Sequence, residues 1–241
     1  MNSDVVYTGR DLEAMSFAVN YHRWILRIFE PYLGTRLVEV GAGVGSFSEL
    51  LLERPLESLA LVEPAVQMYA VLTERMQQWQ LDTQIQTFNA MFTRVAAEIE
   101  TVCRPDSIIY VNVLEHVADD EGELRAINQT LVKGGRIFLF VPALRGLYGS
   151  FDRQIGHVRR YGSTELTEKC GRAGFKILES RSLDFLGIVP WWIKYRLFKS
   201  QTMEPTAVRF YDEYVVPLVQ AIEGVVKPPV GKNIILVGEK I

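Results

Sequence analysis

Only two cysteines, Cys103 and Cys170, occur among 241 residues. Two cysteines cannot build a disulfide framework, so a reducing cytoplasm is the expected setting. A basic excess is also missing: 26 Lys and Arg stand against 29 Asp and Glu, a formal net charge of −3. Nucleic-acid binders usually show the opposite balance, so no nucleic-acid partner is expected. No apolar run approaches the ~18 residues that a membrane span needs. The start, Met1-Asn2-Ser3-Asp4, lacks the basic region and apolar core of a signal peptide. The three histidines, His22, His116 and His157, are scattered, without cysteine or acid at ligand spacing, so no metal is expected. Internal repeats and low-complexity tracts are absent too. What is present is 48% hydrophobic residues, enough for one α/β domain with a sizeable core and a small insertion.

Periodicity orders the chain into strands and helices. Residues 11–33 form a helical lead-in, with Phe17, Tyr21, Trp24, Ile25, Ile28 and Phe29 at helical spacing and Pro31 as a stop. Strands are expected at 36–40, 58–63, 84–88, 106–111 and 136–141, the fourth apolar throughout. Helices are expected from the first glycine loop to Leu52, from Pro64 to Trp79, and over 122–131. This alternation implies parallel βαβ units in a doubly wound sheet. Farther on come a polar loop (143–162), a helix that Ser163 would cap, a strand at 175–180, and an aromatic, basic insertion at 183–204. A helix at 205–226 and a last strand at 233–238 close the pattern.

Chemistry begins at Val38-Glu39-Val40-Gly41-Ala42-Gly43-Val44-Gly45-Ser46, between a strand and a helix. Glycines let a backbone turn sharply and approach a ligand. A dinucleotide site spaces them G-x-G-x-x-G, so that pyrophosphate rests on the helix N-terminus. Here the spacing is G-x-G-x-G, and Glu39 precedes it. A carboxylate there repels phosphate but suits an ammonium group. Glu63 closes the second strand at about the ~20-residue offset where an acid meets ribose hydroxyls. The pocket therefore wants an adenosine-like ribose and a cationic tail without phosphate.

This combination resembles the class I S-adenosylmethionine-dependent methyltransferases of small-molecule type, including the quinone-pathway-like ones. Glu39 to Gly45 is similar to their first motif, and Leu61-Val62-Glu63-Pro64 to the acidic end of their second strand. Asn112-Val113-Leu114-Glu115-His116-Val117 is similar to the stretch after strand four. Leu131-Val132-Lys133-Gly134-Gly135-Arg136 resembles the turn before strand five. The resemblance covers about residues 20–142. It implies a Rossmann-like seven-stranded sheet, mostly parallel with the last strand antiparallel, and S-adenosylmethionine as cofactor. It implies contacts from Tyr21, Glu39, Gly41, Gly43, Gly45 and Asn112, ribose contacts at Glu63, and an adenine contact at Asn89. Many members carry aspartate where this chain has Asn89, whose carbonyl oxygen still accepts from an amino group.

Methyl transfer needs alignment more than covalent help, but a hydroxyl or acidic C–H acceptor also needs a base. His116, at the end of strand four, is a candidate pocket or catalytic residue. His22 reads as a partly exposed helical histidine. The loop after strand five carries Gly156-His157-Val158-Arg159-Arg160-Tyr161, which resembles a subgroup of these methyltransferases, many encoded beside sugar- or lipid-modifying enzymes. His157 and Tyr161 are candidate catalytic groups, and Tyr148, Arg159 and Arg160 candidate acceptor contacts. A structural reading stands beside this one: Asp152 paired with an arginine, Tyr161 packed, the loop a lid. In 183–226, Trp191, Trp192, Tyr195 and Phe198 alternate with Lys194, Arg196 and Lys199. The segment can roof an apolar acceptor through Trp192, touch a membrane surface weakly, or pack into the core.

The expected whole is one methyltransferase domain: a core at 20–142, a substrate loop at 143–163 and a helical lid at 183–226. It would methylate a small, partly apolar acceptor. The rival functions are a nicotinamide-dependent oxidoreductase and a non-catalytic S-adenosylmethionine-binding partner protein.

Overall fold

The computed structural model describes residues 18–79 and 83–241. Residues 11–17 of the expected lead-in lie outside them. From Val19 to Phe29 the chain forms α1, which turns Tyr21, Trp24, Ile25, Ile28 and Phe29 inward. Pro31 then sits in the 3₁₀ turn Glu30–Tyr32 that closes it.

The expected alternation follows. It runs β1 (Arg36–Val40), α2 (Ser46–Leu51), β2 (Ser58–Val62), α3 (Val66–Met76), β3 (Gln84–Phe88), α4 (Phe92–Val102), β4 (Ser107–Val111), α5 (Asp120–Thr130) and β5 (Arg136–Pro142). Pro64 precedes α3 rather than opening it, because the helix starts at Val66 with Ala65 as its cap. Sequence reading passed over α4, although Phe92, Val95, Ile99 and Val102 recur at helical spacing.

The second half is more helical than expected. Within the supposed loop 143–162 lies a short helix, α6 (Ser150–Gln154). Gly162, not Ser163, is the cap of α7 (Ser163–Arg172), and its N–H donates to the Glu165 carboxylate at 3.3 Å. Strand β6 (Phe175–Leu183) extends past the expected end at 180. Helix α8 (Ile188–Trp191) continues as a π-helical stretch, Trp192–Leu197. Next, α9 (Pro205–Phe210) runs through a π-helical stretch, Tyr211–Val215, into α10 (Val216–Val225), and β7 (Asn233–Lys240) follows.

Seven strands lie in the order β3-β2-β1-β4-β5-β7-β6. β1 to β5 are parallel, and β7 inserts antiparallel to both β5 and β6. Apolar side chains fill both faces. Phe29, Leu51, Phe138 and Val216 pack on one side, where α1, α2 and α10 lie. Ile99, Tyr110, Ile127, Leu166 and Cys170 pack on the other, under α4, α5 and α7. Strand order reverses direction between β1 and β4, so their C-terminal ends leave a crevice where such sheets take ligands.

Candidate active site

A cavity of about 320 Å³ opens at that crevice. Its floor is the glycine loop after β1. Gly41, Gly43 and Gly45 have φ of +72°, +57° and +85°, a left-handed backbone that glycine adopts without strain. A Cβ on Gly41 would also sit 2.4 Å from Val113 Cγ2. Asn112, at the end of β4, is itself left-handed at φ +54° and lines the cavity.

Two acids flank the loop. Glu39 lines the cavity, and its Oε2 accepts from Ser48 Oγ at 2.5 Å. Burial, with a smaller push from Glu63 and against the Ser48 bond, lifts its carboxyl to about 8. The Glu63 oxygens accept from Gly43 N and Ala65 N, each at 2.8 Å. Burial raises its pKa above the ordinary value against those two bonds. Asn89 is exposed and spends its amide N–H on the Glu63 and Pro64 carbonyls. Gly45, Glu63 and Asn89 lie beside the cavity rather than on its wall.

The opposite wall holds the histidines. His116 and His157 stack edge to face, centroids 4.7 Å apart, and both line the cavity. His157 Nδ1 lies 2.9 Å from Asp152 Oδ1, and Nε2 lies 3.5 Å from Glu115 Oε1. Arg160 bonds the same Asp152 oxygen at 2.8 Å and lies over the Trp191 ring. Burial works against ionising Asp152, yet the His157 bond, the Arg160 charge and the Gly149 N–H outweigh it and hold its pKa low. The Glu115 carboxylate is fully buried, and neither oxygen finds a hydrogen-bond partner among the described residues. Burial raises it to about 7 against the pull of His157. His116 falls to about 4, chiefly by burial and then by His157.

Several sequence expectations need correcting. Two of the three histidines come together in space: Glu115, His116 and His157 offer donor atoms within 4.8 Å of one another, close enough to hold a cation. His22 is buried rather than partly exposed; it lines the cavity, and burial lowers its pKa to about 4. Tyr161 is fully buried, and its hydroxyl donates to Leu114 O and Asp120, away from the cavity. Burial first, then Asp120, holds that hydroxyl far above its ordinary value. Arg159 is spent on Asp120 and the Ala118 carbonyl. Tyr148 donates to the His157 carbonyl at 2.7 Å and stays off the cavity wall. Trp192 faces out, 46% exposed, while its neighbour Trp191 lines the cavity.

A second polar group went unread in sequence. Tyr21, which was expected here, donates to Asp184 at 3.1 Å and accepts from Asn233 at 2.6 Å. Lys232 meets Asp184 at 2.7 Å, and Tyr211 donates to it as well. Burial opposes charge on Asp184, but Lys232 and the two hydroxyls keep it below the usual carboxylate range. These residues come from four separated segments, so no local motif could announce them.

Residues 14–180, more than half of the chain, match the methyltransferase-domain family. The chain belongs to that family. It is a methyltransferase, with S-adenosylmethionine as its cofactor. This decides against the nicotinamide-dependent oxidoreductase and the non-catalytic partner. A search of curated proteins returns no match. Among solved structures, the methyltransferase resembles a possible histamine N-methyltransferase from Thermotoga maritima at 16% identity and TM-score 0.59, covering 98% of this chain and 96% of that one. It also resembles the N-methyltransferase NodS from Bradyrhizobium japonicum, solved with S-adenosyl-L-homocysteine, at 13% identity and TM-score 0.57, with 93% and 87% coverage. The [4+2]-cyclase SpnF matches at 15% identity and TM-score 0.58, with 92% and 80% coverage. Such identities speak for the fold alone.

Proposed function

We propose that this methyltransferase acts in the cytoplasm, as one domain, on a small, partly apolar acceptor whose nucleophile must lose a proton. Such an acceptor is a hydroxyl of a natural product, lipid-like or sugar-linked metabolite. The residues fit the cofactor. Glu39 offers a carboxylate to the ammonium group, and Gly41, Gly43 and Gly45 leave the backbone bare for close approach. Each Glu63 oxygen keeps a second lone pair for the ribose hydroxyls, and Asn89 keeps its carbonyl oxygen for the adenine amino group. Asn112 and Tyr21 complete the methionine end. The bound cofactor supplies a methyl group on a sulfonium that leaves readily.

The acceptor then lies against Trp191, Tyr195, Phe151 and Phe140, the aromatic wall of the same cavity. The observation that carries the reading is the fixed imidazole of His157 on that wall. With Nδ1–H donated to Asp152, Nε2, on the Glu115 side, is the atom that takes the proton. The imidazolium formed would sit between Asp152 at 2.9 Å and Glu115 at 3.5 Å, two carboxyl groups that stabilise it. His116, held neutral by burial, shapes the wall beside it. Arg160 serves Asp152 and the Trp191 ring rather than gripping an acceptor. His157→Ala should lower turnover by ~10²–10⁴ while affinity for S-adenosylhomocysteine is kept. A variant that turns over at full speed would sink the assignment.

A further inference from the structure

Exposed apolar surface is unevenly spread over the molecule. Among the described residues nineteen large hydrophobic side chains are exposed, and twelve of these fall between Val189 and Val230. They are ordered. Phe210, Tyr214, Leu218 and Ile222 recur every fourth residue along α9 and α10, with Val225 next, at 39–87% exposure. The opposite face of that helix buries Asp212, Val216, Val219 and Glu223. The α8 stretch repeats the pattern: Trp191 and Tyr195 turn into the cavity, while Val189, Trp192, Ile193 and Leu197 turn out. A helix docked on a domain normally turns its polar side to water, and contiguous apolar surface of this extent marks a contact.

Charge says what the contact is. Over residues 185–230 five cations, Lys194, Arg196, Lys199, Arg209 and Lys227, stand against two carboxylates that are not buried, Glu204 and Glu213; Lys194 borders the cavity and Lys227 lies 3.7 Å from Glu179. This local excess of cations is opposite in sign to the whole chain, at −3. A second copy of the chain would bring these cations against one another, whereas anionic lipid neutralises them. Aromatic and aliphatic side chains beside Lys and Arg are the composition of a helix that lies in a bilayer interface.

We propose that the outer face of α8, α9 and α10 docks on an anionic lipid bilayer, so that the lipid-like acceptor enters the cavity from the membrane. The docking stands by itself; the choice of acceptor rests on the function proposed above. Pro190, Met203, Ala207 and Val208, on the same segments, line the cavity. The elements that would touch lipid are thus the ones that would have to part to admit an acyl chain.

The test is co-sedimentation of the full chain with phosphatidylcholine vesicles, with and without phosphatidylglycerol. Binding should require phosphatidylglycerol and fall with added salt. Arg196→Gln with Lys199→Gln should weaken it by about thirtyfold, from the loss of two cations at the surface. Phe210→Gln with Leu218→Gln should weaken it at least about tenfold. Both double variants should keep the affinity for S-adenosylhomocysteine, and the Phe210/Leu218 variant the melting temperature; the other loses the exposed Arg196 bond to Tyr148 O at 3.1 Å and should melt only slightly lower. Indifference to phosphatidylglycerol, or variants that bind like the parent, would overturn the proposal. So would a dimer, seen by light scattering, that the Phe210/Leu218 variant dissociates. Transfer to a soluble acceptor without vesicles reports on the active site separately, so either reading can fail without the other.

Discussion

Replacing Glu39 with glutamine asks whether its carboxylate receives the cationic end of the cofactor. In the ligand-free protein burial lifts the group from 4.5 to about 8, Glu63 adds a little, and the Ser48 bond opposes. At pH 7 only about one molecule in ten then carries the charge, a handicap of ~1.4 kcal/mol, or tenfold, for a ligand that needs it. Affinity for S-adenosylhomocysteine should therefore rise about tenfold from pH 6 to 7 and level off above about 8. Calorimetry in two buffers of different ionisation heat should find nearly one proton released per ligand at pH 7. Glu39→Gln should flatten the profile and cost the ~1.5–3 kcal/mol of a charge-assisted bond. Comparing the two proteins at each pH cancels titration of the ligand itself. Stability gives the sign independently. The folded pKa lies above the unfolded one, so this group's contribution is fully present below about 4.5 and lost as pH rises through about 8. Without ligand, the glutamine variant should thus melt higher than the parent at pH 8 and above. A wild-type affinity that is flat from pH 6 to 8, or a variant with the same slope, would refute the reasoning.

Three further outcomes follow from the packing. Trp191→Ala should raise the acceptor Michaelis constant and cost ~3 kcal/mol in urea unfolding, while Trp192→Ala, at an exposed position, should move both by less than ~0.5 kcal/mol. Gly41→Ala should lower the melting temperature and cofactor affinity, combining ~1–2 kcal/mol of left-handed strain with the collision at Val113. Asp152→Asn leaves Arg160 buried without its partner and should cost ~3–5 kcal/mol by denaturant titration.

The parallel half of the sheet could be read because its signals are local. Each strand is a short apolar run, each loop has its glycine or proline, and Glu39, the glycines and Glu63 lie within 25 residues of one another. The Trp191-Trp192 pair failed for want of phase. Consecutive helical residues point about 100° apart, and only Gly187, Trp191 and Tyr195 at steps of four reveal the inner face. The supposed loop is held by partners far away in sequence or hidden in side-chain chemistry: His157 is pinned by Asp152 and faces Glu115, 42 residues earlier. The structural alternative for that loop was sound in part, since Asp152 does pair with Arg160 and Tyr161 is packed. Nothing in a one-dimensional pattern joins Tyr21 to Asp184 and Lys232 before the sheet has closed.

The placement of β7 has a consequence for synthesis. Among the described strands it is the last to leave the ribosome, yet it sits between β5 and β6 and is the only strand that β6 pairs with. Until residues 233–240 emerge, β5 shows an open edge and β6 has nothing to bond. Unpaired edges of this kind invite pairing with other chains. Lys232 and Asn233 arrive with the same strand and complete the Tyr21–Asp184 group on the cavity wall. A nascent chain stalled before them would carry the glycine loop in full and still have an unfinished cavity wall.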